Sequence, residues 1–250
     1  MRKTILLIHG MRGTHHGLIE VASLLSGKYK IINPDLPGSG TRLELDNKTL
    51  DGYVEWLHDY VQSLKLKTKP YIAGHSMGSI IVSNYAEKYP NDVNRKVILM
   101  SPIFRTHTGQ IISNIICAVL IFLLRLLPNK LRYDLLKSRV VSFCISHYLT
   151  CDKNKQKQID ELHYRYSGRF SSANSIMADI KISMRSQTII PSKKDNLLII
   201  GDKDKLTSLE LIRRMSDDNA CKIKIIPNSG HLINYEKPQQ IANAISNFIG

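Results

Sequence analysis

The stretch "YIAGHSMGSIIVSNY", residues 71–85, decides the fold. It begins with a short apolar run, places Ser76 between two glycines, and continues with apolar residues at helical spacing. A strand that turns sharply into a helix requires small residues such as Gly74 and Gly78, because larger side chains would collide with neighbouring backbone. Ser76 would then stand at the N-terminus of the helix, where free N–H groups favour a developing negative charge. A serine that only caps a helix gives a similar pattern, so the corner alone leaves both interpretations open.

Apolar strands and helical segments alternate along most of the 250 residues. Continuous runs of Ile, Val and Leu that end at Gly, Pro or Asn predict strands buried on both faces. The alternation predicts an α/β fold with a doubly wound, mostly parallel sheet of about six strands, whose carboxyl ends carry the chemistry. The predicted strands are 3–10, 29–38, 69–74, 95–102, 195–202 and 221–228, and the predicted helices are 15–26, 49–64, 77–89, 207–217 and 238–249.

Residues 102–190 interrupt the alternation, because helical patterns follow one another there without a strand. An insertion this long with its own helices is typical of a cap, or lid, over the strand ends. We therefore predict a core of residues 1–101 and 191–250 and a helical cap of residues 102–190 that shapes a substrate pocket. The helical patterns within the cap are 111–128, 130–149, 153–167 and 172–184.

The cap contains the apolar segment "IICAVLIFLL", residues 115–124. This segment is shorter than the ~20 residues that span a bilayer, so we expect a buried or pocket-lining helix. The alternative is a transient, peripheral contact with a membrane surface, aided by neighbouring basic side chains. These side chains are Lys130, Arg132, Lys137 and Arg139.

The composition limits the partners. The net charge of +14 comes from scattered basic residues rather than from one basic patch, which disfavours a nucleic-acid partner. The four cysteines form no C-x-x-C pair and no secretory leader precedes the first strand, so we expect reduced thiols and a cytoplasmic location. We expect no cofactor and no metal, since the Cys and His spacing of a metal site is absent. The oligomeric state stays open.

Chemically useful side chains follow the last two predicted strands. Asp202 and Asp204 come after the fifth strand, and His231 comes after the sixth. A serine, an acid and a histidine in this chain order, each just past a strand, match the order in hydrolases built on a doubly wound sheet. Each residue alone also suits an ordinary turn or a helix cap. The coincidence of all three is what favours a catalytic triad.

The loop after the first strand, "HGMRG" at residues 9–13, adds a fourth element. An oxyanion needs two N–H donors, and the backbone amides of Met11 and Met77 are the candidates. A plain Gly-rich turn is the alternative. Arg12 in the same loop either meets a substrate carboxylate or phosphate or lies on the surface, and His75 is a second candidate substrate-binding residue.

Taken together, these motifs resemble the α/β-hydrolase fold superfamily. The resemblance implies a serine hydrolase of the esterase or monoacylglycerol-lipase type with a triad of Ser76, Asp204 and His231. The family's G-x-x-D pattern at the acid turn aligns the acid with Asp204 and makes Asp202 its neighbour. The motifs are "HGMRG" for the oxyanion loop, "DLPGSGTR" (35–42) for the turn after the second strand, "GHSMG" (74–78) for the nucleophile elbow, "GDKD" (201–204) for the acid turn and "SGHLINYEKP" (229–238) for the histidine turn.

The activity implied by the resemblance is hydrolysis of a carboxylic ester of an apolar acyl chain, through an acyl-enzyme on Ser76. The apolar cap segment favours such a small-molecule ester but leaves its identity and chain length open. If Arg12 faces the pocket, a carboxylate-bearing substrate, or hydrolysis of a carbon–carbon bond as in some relatives, becomes the alternative. A further alternative is a hydrolase-fold protein that binds a ligand in the capped cavity without turning it over.

Overall fold

The computed structural model describes residues 2–40, 43–166, 169–219 and 221–250. Within these residues, six parallel strands form one sheet in the order β2-β1-β3-β4-β5-β6. The predicted α/β fold with a six-stranded parallel sheet is therefore confirmed. The strands are β1 (Thr4–Ile8), β2 (Lys30–Ile32), β3 (Tyr71–His75), β4 (Lys96–Met100), β5 (Asp195–Gly201) and β6 (Lys222–Ile226).

Helices connect the strands and pack on both faces of the sheet. Helices α2, α3 and α9 contribute to the core on one face, and α1 and α11 contribute to the core on the other. The helices are α1 (Ile19–Ser26), α2 (Leu50–Ser63), α3 (Met77–Lys88), α4 (His107–Leu126), α5 (Asn129–Lys137), α6 (Arg139–Leu149), α7 (Gln156–Tyr166), α8 (Ala173–Arg185), α9 (Leu209–Asn219), α10 (Ile233–Glu236) and α11 (Pro238–Ile249), with a 3₁₀ turn at His15–Leu18.

The continuous apolar runs form the central strands because both of their faces are buried. In β1, Leu6 and Ile8 belong to one core cluster, whereas Ile5 and Leu7 belong to the other. Successive side chains of a strand point to opposite faces, so one apolar run supplies both cores. The parallel register places the ends of β1 and β3 side by side, with Ile8 opposite Gly74. The loops that follow these two strands therefore meet at one edge of the sheet.

Strand β2 is shorter than the predicted run 29–38. It ends at Ile32, and the next residues include Pro34 and Pro37, which lack the N–H needed for a ladder. β2 is also the edge strand of the sheet, where such interruptions are tolerated. The predicted turn "DLPGSGTR" follows it, and its last two residues, Thr41 and Arg42, lie outside the described residues.

Helices α4–α8 fill the chain between β4 and β5. The single pattern 130–149 divides into α5 and α6, because Ser138 has an extended backbone and its side chain accepts the N–H of Val141, which caps α6. Helices α4, α5 and α8 share a small apolar core of their own, together with Phe170. Its buried members are Cys117, Ile121, Leu124, Leu136, Phe170, Ile176, Met177 and Ile180.

Helix α4 is exposed over most of its surface. Only Cys117, Ile121 and Leu124 are buried in it, so the expectation of a buried helix is wrong for most of its length. Among the described residues, α4 is also the one helix whose length and composition suit a membrane span, with a mean hydropathy of 2.0 and 17% of that window buried. The apolar sequence indicated burial, but α4 packs along one side only.

Candidate active site

Ser76 lies in a strained turn between β3 and α3. Its φ of 55° is in the left-handed region, which residues other than glycine rarely adopt. A Cβ at Gly74 would lie 2.2 Å from the carbonyl oxygen of Gly78, and a Cβ at Gly78 would lie 2.3 Å from that of Ile8. Neither position has room for a side chain. The sharp corner predicted from the glycine spacing is therefore present, and it presents Ser76 at the end of β3.

A continuous hydrogen-bond chain joins Ser76 to His231 and His231 to Asp204. The distance from Ser76 Oγ to His231 Nε2 is 2.8 Å, and the distance from His231 Nδ1 to Asp204 Oδ2 is also 2.8 Å. Nδ1–H therefore donates to the carboxylate, which leaves Nε2 to accept the serine proton. The side chains of His231 and Asp204 are almost fully buried, at 2% and 0% exposure. This geometry suits proton transfer from the serine to the imidazole.

The two candidate acids have different surroundings. Asp204 bonds the imidazole through one oxygen, and its other oxygen accepts the backbone N–H groups of Leu206 and Thr207 at 2.8 and 3.3 Å. Burial pushes the pKa of Asp204 upward, but His231 and these hydrogen bonds outweigh burial and lower it below its ordinary value. Asp202 instead accepts the N–H of Ser229 at 3.2 Å. Asp204 is thus the carboxylate that meets the histidine.

The backbone around His231 is held from several directions. Its carbonyl oxygen accepts the Ser101 hydroxyl at 2.9 Å and the ring Nε2–H of His75 at 3.1 Å. Its N–H donates to the carbonyl oxygen of Leu149 at the end of α6, at 2.8 Å. The buried carboxylate of Glu236 accepts the neighbouring Gly230 N–H at 2.7 Å. These contacts fix the imidazole and also tie it to α6.

Sequence reasoning did not assign a role to Glu236, although it lies in the quoted histidine turn. Its other carboxylate oxygen accepts the N–H groups of Cys151 and Asp152 at 2.7 and 2.6 Å. One buried carboxylate therefore joins the histidine turn to the segment after α6. The available signal was an acid at the last position of the short helix α10, but its partners Cys151 and Asp152 lie 85 and 84 residues away in sequence.

The loop after β1 packs directly against the elbow. A Cβ at Gly10 would lie 3.0 Å from both the Ser76 Cβ and the His75 carbonyl oxygen, so this loop needs glycine to approach the serine. Met77 begins α3 and Met11 lines the cavity in front of Ser76. The amides of Met11 and Met77 as oxyanion donors stay a prediction.

Two further histidines at this edge are neutral. His9 donates from Nδ1 to the Gly10 carbonyl and accepts the Leu36 N–H at Nε2, and burial lowers its pKa to about 4. Burial lowers the pKa of His75 to about 3, and the nearby His231 is the second largest contribution to this shift. His75 lines the cavity, but its Nε2–H is occupied by the His231 carbonyl. Its role in substrate binding stays a prediction.

A cavity of about 430 Å³ lies in front of Ser76 and His231. This volume falls within the usual range for small-molecule sites. Apolar side chains from the inserted helices form much of its wall. They are Ile112 and Ile116 of α4, Ile145 and Leu149 of α6, and Met184 of α8.

Arg12 lines this cavity, and its side chain is buried. Its residue exposure is 4%, so the surface position, one of the two alternatives that the sequence left open, is wrong. Sequence could not distinguish the two positions, because burial of Arg12 depends on the inserted helices. Nη1 donates to the carbonyl oxygen of Leu136 near the end of α5, and the guanidinium lies beside the Phe170 ring.

Comparisons with known proteins agree with this fold. The chain belongs to the family described as serine aminopeptidase, S33, whose model matches residues 1–238, and it is a serine hydrolase of the α/β-hydrolase superfamily. It is 25% identical to monoacylglycerol lipase ABHD6 of Homo sapiens over 261 aligned positions, which cover 99% of this chain and 75% of the human protein. Lipase 3 of a Moraxella species is 35% identical over 92 residues, or 36% of this chain and 29% of that lipase.

Solved structures give the same fold. An esterase from Thermogutta terrifontis superposes with a TM-score of 0.75 at 18% identity, covering 99% of this chain and 89% of that one. An esterase from Exiguobacterium antarcticum superposes with a TM-score of 0.73 at 17% identity, covering 99% and 91%. At these identities the likeness concerns the fold. The resemblance to the α/β hydrolases inferred from the motifs is confirmed.

Proposed function

We propose that this serine hydrolase cleaves a carboxylic ester of an apolar acyl chain through an acyl-enzyme on Ser76. The observation that carries the proposal is the hydrogen-bond chain from Ser76 Oγ through His231 to Asp204, with both distances at 2.8 Å. The names of the relatives, which include a monoacylglycerol lipase and a lipase, support ester cleavage.

In the proposed mechanism, His231 Nε2 takes the proton of Ser76 as Oγ attacks the ester carbonyl carbon. The amides of Met11 and Met77 stabilise the resulting oxyanion. The carbon–oxygen bond to the alcohol then breaks, and His231 returns the proton to the departing alcohol. His231 then takes a proton from water, which attacks the acyl-enzyme; the bond from the acyl carbon to Oγ breaks, the carboxylic acid leaves, and His231 returns the proton to Ser76 Oγ. Asp204 holds the imidazole tautomer throughout.

The cavity wall supports an apolar acyl chain, because the isoleucines of α4 and Met184 of α8 line it. We propose that residues 102–190, which include these helices, act as a cap that shapes this pocket. A small cap core that is separate from the two sheet cores supports this division. The alternative is cleavage of a carbon–carbon bond by the same triad. No feature of the cavity specifically favours it.

A graded series of p-nitrophenyl esters from acetate to dodecanoate tests the proposal. We expect kcat/KM to rise from the short to the longer chains, because the apolar wall gains contact area. Ser76→Ala should lower turnover by roughly 10⁶-fold and abolish labelling by a fluorophosphonate probe. Absence of both labelling and hydrolysis in the parent enzyme would instead favour a ligand-binding protein.

We also propose that α4 contacts a membrane surface peripherally. At about 100° per residue, its exposed apolar side chains fall on one half of the helix, opposite the packed side formed by Cys117, Ile121 and Leu124. Ile112 and Ile116 are half-exposed and also line the cavity, so the cavity adjoins this apolar half. The exposed side chains are Ile111, Ile112, Ile115, Ile116, Val119, Leu120, Phe122, Leu123 and Leu126; we call them the α4 apolar face.

A lipid bilayer suits this face better than a polar partner, because an ester with an apolar chain could pass from lipid to Ser76 without crossing water. The exposed cations Arg125, in the last turn of α4, and Lys130, shortly after α4, complement an anionic lipid surface. The packed side of α4 holds it against α8, which supports a position in the interface plane rather than across the bilayer. A cytoplasmic location with this peripheral contact is part of the proposal.

Vesicle flotation tests the contact. We expect Phe122→Asp, with a side chain that is 62% exposed, to lower binding to phosphatidylglycerol vesicles several-fold, because it places a charge in the apolar face. Ile19→Asp is the matched control, since Ile19 is 50% exposed on α1, outside this face. Equal binding by the two variants would contradict the contact.

A further inference from the structure

The guanidinium of Arg12 has donors that the protein does not use. Nη1 is bonded to the Leu136 carbonyl, but Nε and Nη2 are buried and have no hydrogen-bond partner among the described residues. In a planar guanidinium, Nε–H and one Nη2–H lie on the same edge and form a fork for two oxygen atoms. A buried cation with an empty fork is costly unless an anion occupies it.

No acidic side chain of the described residues compensates for this charge. Arg12 takes part in none of the ion pairs that they form. Asp179 accepts hydrogen bonds from the Tyr53 hydroxyl and from the backbone amide of Arg12, not from its guanidinium. Burial lowers the pKa of Arg12 to about 10, which leaves its guanidinium charged at neutral pH.

The rest of the cavity wall also has no counter-charge. No Asp or Glu lines the cavity among the described residues, whereas three cations do. Arg105 already donates to the carbonyl oxygens of Ser183 and Ser186 at 2.6 and 2.8 Å. Lys205 is exposed to solvent. Among the cations of the cavity wall, Arg12 is therefore the buried one whose Nε and Nη2 donors lack a partner among the described residues.

We propose that Arg12 binds an anionic group of the substrate, a carboxylate or a phosphate, so that the natural substrate is an acyl ester carrying a negative charge. This inference rests on the proposed function, because it names the substrate class of the same site. The apolar wall receives the acyl chain. Nε and Nη2 expose almost no surface in the structure, so the Arg12 side chain must shift toward the cavity that it lines before the fork receives two oxygen atoms of the anionic group. Such a pair adds affinity and orients the ester relative to Ser76.

Two matched ester pairs test the inference and distinguish a carboxylate from a phosphate as the anionic group. The first pair is p-nitrophenyl hexanoate and mono-p-nitrophenyl adipate, which differ by a carboxylate on the acyl chain. The second pair is 1-hexanoylglycerol and 1-hexanoylglycerol 3-phosphate, which differ by a phosphate on the alcohol. The readout is the ratio of kcat/KM for the anionic ester to that for the neutral one.

We expect Arg12→Gln to lower this ratio by about 10-fold to 100-fold in one of the pairs, as for loss of a charge-assisted hydrogen bond. Arg12→Lys should retain part of the preference, because it keeps the charge but loses the fork. Arg95→Gln is the matched control, since it removes the same charge from a side chain that is 77% exposed and lies outside the cavity wall, and we expect it to change the ratio less than about threefold. The pair that responds identifies the anionic group.

An unchanged ratio in both pairs would overturn the inference and leave Arg12 as a contact between the loop and α5, while the proposed function would stand. If the parent enzyme cleaves none of these esters, the proposed function fails. A binding experiment then tests whether Arg12 binds an anionic group. Calorimetry on Ser76→Ala with hexanoate, hexyl phosphate and hexanol should then give tighter binding of one anion than of the alcohol. That preference should disappear when Arg12→Gln is added, and its persistence would overturn the inference.

Discussion

At the scale of single residues, the choice between Asp204 and Asp202 is the most specific claim about the triad. Asp204→Asn should lower kcat by about 10⁴-fold, because the amide no longer holds His231 in the tautomer that accepts the serine proton. Asp202→Asn should change kcat by less than about 10-fold, since the Asp202 side chain accepts the backbone N–H of Ser229, whereas the imidazole bonds Asp204. Steady-state kinetics on a p-nitrophenyl ester gives both values. A larger loss of kcat for Asp202→Asn than for Asp204→Asn would show that Asp204 is not the triad acid.

The elbow glycines give a stability prediction. Gly78→Ala places a Cβ within 2.3 Å of the Ile8 carbonyl oxygen, so we expect it to lower the free energy of unfolding by about 3 kcal/mol or more. Gly27→Ala is the control, because Gly27 has a helical φ of −62° and no atom within 4 Å of a new Cβ. Urea unfolding of the control should give a gain of up to about 1 kcal/mol. Similar stabilities for the two variants would contradict the steric argument.

Some of these residues were accessible from sequence and others were not. The serine and histidine positions follow from motifs whose local geometry is short-range, such as the glycine spacing around Ser76. The preference for Asp204 over Asp202 came from the family resemblance, because both acids sit in the same turn. The burial of Arg12 could not be predicted, since it depends on α5 and Phe170, more than a hundred residues away.

At the scale of elements, the histidine turn and the segment after α6 depend on Glu236. Its carboxylate accepts three backbone N–H groups, from Gly230, Cys151 and Asp152. In Glu236→Gln an NH₂ group replaces one acceptor, so a buried N–H loses its partner. We expect a loss of about 1 to 3 kcal/mol in the free energy of unfolding and a lower kcat, because His231 follows Gly230 directly.

The control for this variant is Glu161→Gln on α7. Glu161 is 47% exposed, and its partners Arg139 and Arg165 are exposed as well, so its loss should change neither quantity measurably. Urea unfolding and steady-state kinetics on both variants test the difference. If Glu236→Gln behaves like the control, the carboxylate does not hold the histidine turn.

The elements of the sheet were predictable because their signal is local, whereas the packing of α4 was not. Buried parallel strands appear as continuous apolar runs, and β1 and β4 fall within the predicted runs. A long apolar helix gives the same pattern whether it is buried, pocket-lining or exposed. Only the tertiary structure distinguishes these cases, and it packs α4 along Cys117, Ile121 and Leu124 alone.

At the scale of the whole molecule, the net charge of +14 should strengthen contact with anionic membranes. We expect binding to phosphatidylglycerol vesicles to weaken as salt rises from about 20 mM to about 500 mM, because screening shortens the range of the attraction. Phosphatidylcholine vesicles should bind less protein and respond little to salt. Flotation at the two salt concentrations measures this. Identical binding to both lipids would mean that charge contributes nothing.

The identity of the nucleophile is the central claim, and mass spectrometry of the acid-quenched enzyme tests it most directly. During turnover of p-nitrophenyl hexanoate, the peptide that contains Ser76 should gain the mass of one hexanoyl group. Ser76→Ala should give neither this adduct nor the initial burst of p-nitrophenol. An adduct on another residue, or undiminished hydrolysis by Ser76→Ala, would contradict the account.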